Sequence, residues 1–390
     1  MEQGFDYLIV GAGMAGSAAA LALREADAAA TIGLLGDEAH PPYDRPPLSK
    51  ALWKEGGKEQ DIWRPIDQAG AVVRLGRRAV AIDRAAHVVH DSAGDSWRYR
   101  KLLITTGGAP RRLPFGDGFI YFRTFDDYKR LREAAKPDAR VAVIGGGFIG
   151  SEIAASLATN GCKVTMLFPE DAICARAYPK ALADSVTSYY REKGVDVRPG
   201  VTVKGAVGGV LELSDGGTLH ADAVVAGLGI TPNVELAQAA GLTVENGIVV
   251  DEHLRSSDPD IYAAGDVAAF PAPALGRRIR VEHENAAVTM GERAGRCMAG
   301  KDAPYDELPF FYSDLFDLGY EAVGTLDARL ETVEQWVTPF REGVVYYLEG
   351  GRVRGVLLWN TWDQVDAARA LIAASGPFNA TSVRGRLPAA

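Results

Sequence analysis

Two stretches of the sequence decide the fold: DYLIVGAGMAGSAAALAL, residues 6–23, and RVAVIGGGFIGSEIAASL, residues 140–157. Each joins an apolar run of strand length to an apolar run of helical length through a glycine-rich turn. Gly11 and Gly145, the first glycines of the two turns, lie 134 residues apart, far beyond the period of a solenoid repeat. The sequence therefore predicts an α/β protein with a duplicated Rossmann-like nucleus and two nucleotide sites.

Both turns have the GxGxxG spacing. The glycines are Gly11, Gly13 and Gly16 in the first turn and Gly145, Gly147 and Gly150 in the second. The first glycine of each set allows a tight turn, the second lets the backbone approach a pyrophosphate, and the third lets the helix pack on the strand. Phosphates would bind at the helix N-terminus. We also expect dinucleotide contacts from the intervening residues Met14, Ala15, Phe148 and Ile149.

An acidic residue about 20 positions after the glycines commonly binds the adenosine ribose. The strand TIGLLGDE after the first turn supplies Asp37 and Glu38. The strand CKVTMLFPE after the second turn has Phe168 at the usual place and Glu170 two residues later. Glu170 is either a ribose ligand, which favours NADH, or a solvated turn residue, and Arg176 could tolerate the 2′-phosphate of NADPH.

The composition excludes several classes of protein. Apolar residues make up 47% and charged residues 24% of the 390, and no apolar run reaches the about 20 residues of a membrane-spanning helix. The net charge of −9 gives no basic footprint for nucleic acid. Three widely spaced cysteines form neither a disulfide framework nor a CxxC pair, and the N-terminal residues enter a strand pattern at once. We therefore expect a cytoplasmic protein that binds neither membrane nor nucleic acid.

Further motifs follow in a fixed order along the chain. They are GDEAHPPYDRPPLSKALW (36–53), TTGGAPRRL (105–113), FRTFDD (122–127), LFPEDAICAR (167–176), GLGITPN (227–233), IYAAGDVA (261–268), RVEHENA (280–286) and FFYSDLFDLGYEAVG (310–324). Together with the glycine turns they resemble the apoptosis-inducing factor family and the related NADH:ferredoxin reductases of bacterial oxygenase systems. The resemblance covers about residues 5–327 and implies FAD in the first fold and NADH, or alternatively NADPH, in the second.

The resemblance implies a pair of catalytic residues. The lysine that corresponds to Lys50 lies near the flavin N5 edge in such proteins, where a cation assists the arriving hydride. The glutamate that corresponds to Glu152, in the first turn of the second nucleotide helix, pairs with that lysine beside the nicotinamide. A structural salt bridge is the alternative reading for these two residues.

Other residues are expected to bind cofactors because the resemblance assigns them so. Arg45 would lie near the FAD phosphates, Asp266 would bind the ribityl chain, and the backbone N–H of Val267 would meet the pyrophosphate. The helix that begins near Glu282, His283 and Glu284 would direct its positive end at the flavin pyrimidine edge. The remaining FAD residues are Ala79, Thr106, Gly107, Arg123, Phe311 and Tyr312, and Gly229 would contact NAD(P)H. Family members commonly carry tryptophan in place of Tyr312, which puts the aromatic stacking there in question.

An absence in the sequence narrows the reaction class. Disulfide reductases of this architecture carry a CxxxxC pair early in the FAD domain, whereas this chain has no cysteine before Cys162. Electrons must then leave from the flavin to an external acceptor. We expect either an enzyme that reduces a ferredoxin or a Rieske-type iron–sulfur carrier, or a redox-sensing protein in which slow NADH reduction controls association with partners. A homodimer is an open alternative to a monomer.

The motifs suggest three domains. We expect a discontinuous FAD domain at 1–113 and 245–308, an inserted NAD(P)H domain at 114–244, and an α+β domain at 309–390. In the last, GVVYYLEG and RVRGVLLWN predict two strands around a Gly-Gly turn, and VDAARALIAAS predicts a helix. Trp336, Trp359 and Trp362 are expected in its core.

Overall fold

The computed structural model describes residues 2–388. Its helices are α1 (Met14–Ala26), α2 (Phe125–Ala134), α3 (Phe148–Thr159), α4 (Lys180–Glu192), α5 (Glu235–Ala239), α6 (Glu284–Met298), α7 (Val365–Ala373) and α8 (Ala380–Val383). Its strands up to the second glycine turn are β1 (Glu2–Val10), β2 (Ile32–Leu35), β3 (Val72–Arg74), β4 (Ala79–Asp83), β5 (Val88–Asp91), β6 (Ser96–Ile104), β7 (Gly108–Pro110), β8 (Ile120–Tyr121) and β9 (Arg140–Ile144).

The later strands complete two α/β sheets and contribute to four further sheets. They are β10 (Lys163–Phe168), β11 (Asp196–Pro199), β12 (Val203–Val207), β13 (Val210–Leu213), β14 (Thr218–His220), β15 (Ala223–Ala226), β16 (Ile230–Pro232), β17 (Val244–Glu245), β18 (Gly247–Val249), β19 (Ile261–Ala263), β20 (Ala268–Ala272), β21 (Arg277–Ile279), β22 (Phe310–Leu315), β23 (Leu318–Gly324), β24 (Glu331–Thr338), β25 (Glu342–Glu349) and β26 (Arg352–Trp359). No helix among residues 2–388 is long and apolar enough to cross a membrane.

The contacts divide the chain into two compact units that are interleaved in sequence. The first unit comprises residues 1–44, 59–109 and 231–309, and the second comprises residues 45–58, 110–230 and 310–390. Each unit therefore contains one of the two glycine turns.

The first unit is built on a sheet with the order β3-β2-β1-β6-β5-β4, and β19 pairs with β6. Strands β3, β2, β1, β6 and β19 are parallel, as a Rossmann-like fold requires, while β4 and β5 add an antiparallel hairpin. The central strands are apolar on both faces: Leu8, Ile9, Leu34, Leu102 and Ile104 are fully buried. A second sheet of this unit has the order β17-β18-β20-β21.

The second unit repeats the same nucleus. Its parallel sheet has the order β11-β10-β9-β15-β8, so that β9 holds the central place that β1 holds in the first unit. An antiparallel meander of β12, β13 and β14 follows α4 and β11 in the chain. The two sheets confirm the α/β fold class predicted from the repeated glycine turns.

Residues 310–388 form an antiparallel sheet with the order β22-β23-β26-β25-β24, followed by α7 and α8. Strands β25 and β26 and helix α7 are the three elements that the sequence predicts, and Gly350 and Gly351 form the turn between the strands with φ of +57° and +73°. Trp359 is fully buried, as expected of a core residue. Trp362 is not in the core: it is 49% exposed and lies over Gly319, which has no side chain to displace it.

Candidate functional site

The first glycine turn, residues 11–16, is shaped by close backbone contacts. Gly11 has φ of +116°, and a Cβ atom there would lie 2.2 Å from the carbonyl oxygen of Thr105. A Cβ atom at Gly16 would lie 2.0 Å from the carbonyl oxygen of Gly11. At Gly13, by contrast, an added Cβ would meet no atom within 4 Å. The outer two glycines are thus required by packing, whereas Gly13 leaves an open backbone surface.

The second glycine turn, residues 145–150, has the same three properties. Gly145 has φ of +119° and leaves 2.4 Å between an added Cβ and the carbonyl oxygen of Gly227. A Cβ atom at Gly150 would lie 2.1 Å from the carbonyl oxygen of Gly145. A Cβ atom at Gly147 would again meet no atom within 4 Å. Open backbone at the middle glycine is what a pyrophosphate needs for close approach, so both turns fit a dinucleotide.

Helices α1 and α3 begin directly at these turns. Their N-caps, Gly13 and Gly147, provide no side-chain hydrogen bond, and neither helix has an acidic residue in its first turn. The free N–H groups of Met14, Ala15, Phe148 and Ile149 therefore lie at the positive end of a helix dipole, where a phosphate is favoured.

The carboxylates expected to bind the first ribose follow the end of β2. Asp37 is half-exposed and forms an ion pair with Arg78 at 2.6 Å between Oδ2 and Nη2. Glu38 accepts a hydrogen bond of 2.6 Å from the hydroxyl of Tyr43 through Oε2. Neighbouring donors thus hold both carboxylates in place at the edge of the first sheet.

Glu170 and Arg176, which the sequence suggests as opposing determinants of coenzyme choice, form one ion pair. Arg176 Nη2 lies 2.5 Å from Glu170 Oε1. The guanidinium is 85% exposed whereas the carboxylate is 24% exposed, so Glu170 is the better fixed of the two. The buried Phe168 ends β10.

Glu152 lies at the centre of a buried polar cluster in the second unit. It is the fifth residue of α3 and so stands in the second turn of that helix, not in the first as expected. Lys50 Nζ lies 2.8 Å from Glu152 Oε1, and the two side chains are 9% and 3% exposed. The structure thus brings together the two residues for which the resemblance implies a catalytic pair.

Two serines, which sequence reasoning missed, complete this cluster. Ser313 Oγ donates a hydrogen bond of 2.6 Å to Glu152 Oε1, and Ser49 Oγ donates one of 2.6 Å to Glu152 Oε2. A signal for this contact exists on α3, a largely apolar helix on which Glu152, Ser156 and the C-cap residue Asn160 follow one another at spacings of four residues. Ser156 Oγ and Asn160 Nδ2 donate to the backbone carbonyls of Ser49 and Trp53, so this stripe fixes the segment 49–53 on α3.

Aromatic side chains adjoin the cluster. Phe311 lies 4.9 Å from Phe148, measured between ring centroids, so the first residue of α3 contacts β22. Tyr312 is 38% exposed, and Lys50 Nζ lies 5.1 Å from the centroid of its ring. This distance is within the range of a cation–π contact.

The other expected site residues are distributed over the two units. In the second unit, Arg45 Nη1 donates to the carbonyl of Arg123 at 2.7 Å, and Gly229 follows β15 with φ of +78°. In the first unit, Thr106 Oγ1 donates to the carbonyl of Asn233 at 2.8 Å. Gly107 follows with φ of +63°, and Ala79 begins β4.

Asp266 and Val267 lie in a short 3₁₀ helix of the first unit, residues 265–267. Arg280 Nη1 donates to the carbonyl of Asp266 at 3.1 Å, and its Nη2 lies 2.9 Å from Glu282 Oε1. His283 is the N-cap of α6, and Glu284 is the first residue of that helix. Burial lowers the pKa of His283 to about 4, against a smaller opposing effect of Asp266, so its imidazole is neutral at pH 7.

The three cysteines are not suited to relay electrons. Cys162, Cys174 and Cys297 are free and buried. Burial raises the pKa of each thiol, that of Cys174 to about 12. Thiols held in this protonated form are poor nucleophiles, so they are structural residues.

Comparison with known proteins finds two family models that match the chain. A model of the family described as pyridine nucleotide-disulphide oxidoreductase matches residues 5–291, and one described as apoptosis-inducing factor, mitochondrion-associated, C-term matches residues 294–339. The chain is 39% identical over 381 residues to the ferredoxin–NAD(+) reductase component of the anthranilate 1,2-dioxygenase system of Burkholderia cepacia, covering 94% of each chain. It is 34% identical to apoptosis-inducing factor 1 of Dictyostelium discoideum, covering 94% of this chain and 78% of that protein.

A solved structure with a similar fold is the covalent putidaredoxin reductase–putidaredoxin complex. The TM-score is 0.88 at 32% identity, with 94% of this chain and 92% of that chain covered. The chain therefore belongs to the pyridine nucleotide-disulphide oxidoreductase family. Within it, the chain is an oxidoreductase of the type that uses FAD and NADH.

Proposed function

We propose that this protein carries electrons from NADH through FAD to a small iron–sulfur ferredoxin. The observation that carries the proposal is the match over 94% of the chain to a ferredoxin–NAD(+) reductase. Two glycine turns with open middle glycines supply the two dinucleotide sites that such a reaction needs. The chain has no cysteine before Cys162, so a thiol relay through the early part of the chain is not part of the proposal.

The two nucleotides are assigned to different parts of the chain. FAD belongs to residues 1–113 and 245–308, whose glycine turn has Gly13 as its open position and whose carboxylates are Asp37 and Glu38. NADH belongs to residues 114–244, with Gly147 as the open position and Glu170 as the ribose ligand. Residues 309–390 contribute Phe311 and Tyr312. Both assignments rest on the same feature, a helix N-terminus without a side-chain cap, which can bind the phosphates of a dinucleotide.

When bound, FAD accepts a hydride and can release its two electrons one at a time. Lys50 supplies a fixed cation to the site, which stabilises negative charge as the hydride is transferred. Glu152 holds the Lys50 ammonium and offers its remaining acceptor capacity to the carboxamide of the nicotinamide. His283, neutral at pH 7, places no positive charge at the start of α6, which leaves the dipole of that helix as the local positive field.

The electron acceptor that we propose is a small ferredoxin, with a Rieske-type carrier as a related acceptor. The ferredoxin of a dioxygenase system is the partner class that the name of the Burkholderia cepacia relative indicates. A homodimer and a cytoplasmic location are part of the same proposal. The free thiols of Cys162, Cys174 and Cys297 suit a reducing compartment.

Steady-state turnover tests the function. We expect the purified protein to reduce putidaredoxin or a similar ferredoxin with NADH, followed as ferredoxin-dependent reduction of cytochrome c. Omission of the ferredoxin is the control and should reduce the rate at least tenfold. Reduction of FAD by NADH without any transfer to a panel of ferredoxins would instead favour a redox-sensing protein similar to apoptosis-inducing factor, the family whose C-terminal model matches residues 294–339.

A further inference from the structure

The carboxylate of Glu152 has an uneven distribution of donors. Oε1 forms the ion pair with Lys50 Nζ at 2.8 Å and accepts a hydrogen bond of 2.6 Å from Ser313. Oε2 receives one, from Ser49 at 2.6 Å. Each carboxylate oxygen accepts about two hydrogen bonds. Oε1 has both the Lys50 ammonium and a serine hydroxyl beside it, whereas Oε2 has only Ser49 among residues 2–388 and so keeps an acceptor position.

The two serines reach Glu152 from separate segments of the chain. Ser49 directly precedes Lys50, and Ser313 directly follows Tyr312. Both serines are almost fully buried, at 3% and 1% exposure. Each has one hydroxyl proton. That of Ser313 is directed to Glu152, and for that of Ser49 the carboxylate at 2.6 Å is a much nearer acceptor than the carbonyl of Pro46 at 3.5 Å. A buried hydroxyl that donates to a charged oxygen makes a stronger and more directional bond than a neutral pair does.

The three donors do different things to Glu152. Lys50 supplies the charge, but its ammonium is a point charge on a flexible stem and does not set the orientation of a carboxylate plane. Ser49 and Ser313 each hold a different oxygen of the carboxylate, and two such contacts determine the orientation of its plane.

We propose that Ser49 and Ser313 are positioning residues that direct the one open acceptor position of Glu152, on Oε2, to the carboxamide of the nicotinamide. The inference rests on the proposed function. Loss of either hydroxyl leaves Lys50 and Glu152 paired but lets the carboxylate rotate, so the nicotinamide half of the coenzyme loses its acceptor while the adenosine half is unaffected.

The test compares two ligands that differ only in the nicotinamide. We would titrate NAD⁺ and ADP-ribose into the oxidised, FAD-containing protein by calorimetry, for the wild type, Ser49→Ala and Ser313→Ala. We expect each variant to bind NAD⁺ about tenfold more weakly, as for an impaired hydrogen bond to a charged group, and to bind ADP-ribose within about twofold of the wild type. Equal weakening of both ligands, or no weakening of NAD⁺, would overturn the proposal.

Two controls separate positioning from general damage. Thr361→Val removes another buried hydroxyl of the same unit, which donates to the carbonyls of Gly343 and Trp359, and it should leave both affinities unchanged. In a Glu152→Ala background, Ser313→Ala should have no further effect on NAD⁺, because the hydroxyl then has no carboxylate to position. A full additional loss of NAD⁺ affinity in that background would contradict a role through Glu152.

Failure of the proposed function has a different signature. If NADH does not reduce the FAD of the wild type, the electron-transfer function and the positioning role fall together. If NADH reduces the wild type and the ratio of NAD⁺ to ADP-ribose affinity is the same in all variants, only the positioning role is overturned.

Discussion

Lys50 is a buried ammonium in a protein whose other lysines are mainly at the surface, and its partner Glu152 is 3% exposed. Burial of two charges is unfavourable unless they are paired and hydrogen-bonded, and here the two serines provide the additional bonds. An ion pair this buried is weak support for a role in stability alone. The free-energy cost of burying the two charges is better explained by a function at the reacting centre.

We expect Lys50→Ala to slow reduction of FAD by NADH by one to three orders of magnitude, since a positioned charge in an active site is typically worth a few kcal/mol. FAD should remain bound, and Glu152→Ala should chiefly weaken nicotinamide binding. Rapid-mixing kinetics measure the rate. Lys54→Ala is the matched control, because Lys54 is 62% exposed and pairs with Asp314.

Stability needs a separate measurement for these variants. Lys50→Ala leaves the Glu152 carboxylate with only hydroxyl donors, so unfolding by urea should occur at lower concentration than in the wild type. A Lys50→Ala, Glu152→Ala double variant should be less impaired than the product of the singles. A reduction rate within twofold of the wild type in Lys50→Ala would leave only a structural salt bridge.

Glu170 is expected to select NADH. Its carboxylate can accept from the ribose hydroxyls but would repel a 2′-phosphate, so Glu170→Ala should narrow the preference for NADH over NADPH. The loss also frees Arg176, which is 85% exposed and can then attract the phosphate. Stopped-flow reduction with both coenzymes measures the ratio. A wild type that prefers NADPH would assign the dominant role to Arg176.

His283 makes stability depend on pH. Its folded pKa of about 4 lies below the ordinary value of 6.5, so between these values the unfolded chain binds a proton that the folded chain does not. Protonation of the unfolded chain therefore lowers the free energy of unfolding as the pH falls from 6.5 towards 4, and this loss is absent above pH 6.5. Between pH 7 and 5, the free energy of unfolding of the flavin-free protein should fall by about 2 kcal/mol more in the wild type than in His283→Gln. Equal losses in the two proteins would contradict this pKa.

Helices α1 and α3 show which parts of a site a sequence can predict. The glycine turns are short-range features, because the residues that form each turn and helix are consecutive, and the structure has them where the motif predicts. Strands β22, β23 and β24 were not predicted separately. The side chains of β22 and β24 are mostly only partly buried and show no clear apolar alternation. Ser313 contacts Glu152 across 161 residues, which no local pattern reveals.

The middle and last glycines of the turn before α3 provide a matched pair of substitutions. A Cβ at Gly147 enters open space, so Gly147→Ala should fold normally but bind NAD⁺ at least tenfold more weakly, because the methyl group occupies the surface that the pyrophosphate approaches. A Cβ at Gly150 would lie 2.1 Å from a backbone oxygen, so Gly150→Ala should be severely destabilised. Thermal melting and NAD⁺ titration distinguish the two effects. Normal NAD⁺ binding by Gly147→Ala would exclude the turn as the pyrophosphate site.

At the scale of the whole molecule, the duplicated nucleus implies two separately bound nucleotides. Each glycine turn follows a central strand of its sheet. The strand order is β3-β2-β1-β6 in one unit and β11-β10-β9-β15 in the other. Such a turn binds a dinucleotide through its backbone and needs no covalent bond to it.

The purified protein should therefore be yellow, with tightly but non-covalently bound FAD. Acid precipitation should release the flavin into the supernatant, where chromatography identifies it. Gly13→Ala should fold but contain little flavin, since Gly13 has the same open surroundings as Gly147. Release of FMN, or of no flavin at all, would disprove the assignment of the first turn to an adenine dinucleotide.

The interleaving of the two units has a consequence for synthesis on the ribosome. The first sheet lacks β19 until residues 261–263 have emerged, long after the second glycine turn has been translated. The second unit lacks residues 310–390, so a nascent chain that has reached only Pro309 holds Glu152 with one of its two serine donors missing. The segment 45–58, translated early, must wait for α3 before it finds its contacts. Neither unit can complete its native contacts before residue 263 has been translated, and the second must wait for residue 310 and beyond, so unfinished chains are the form most exposed to chaperones and proteases.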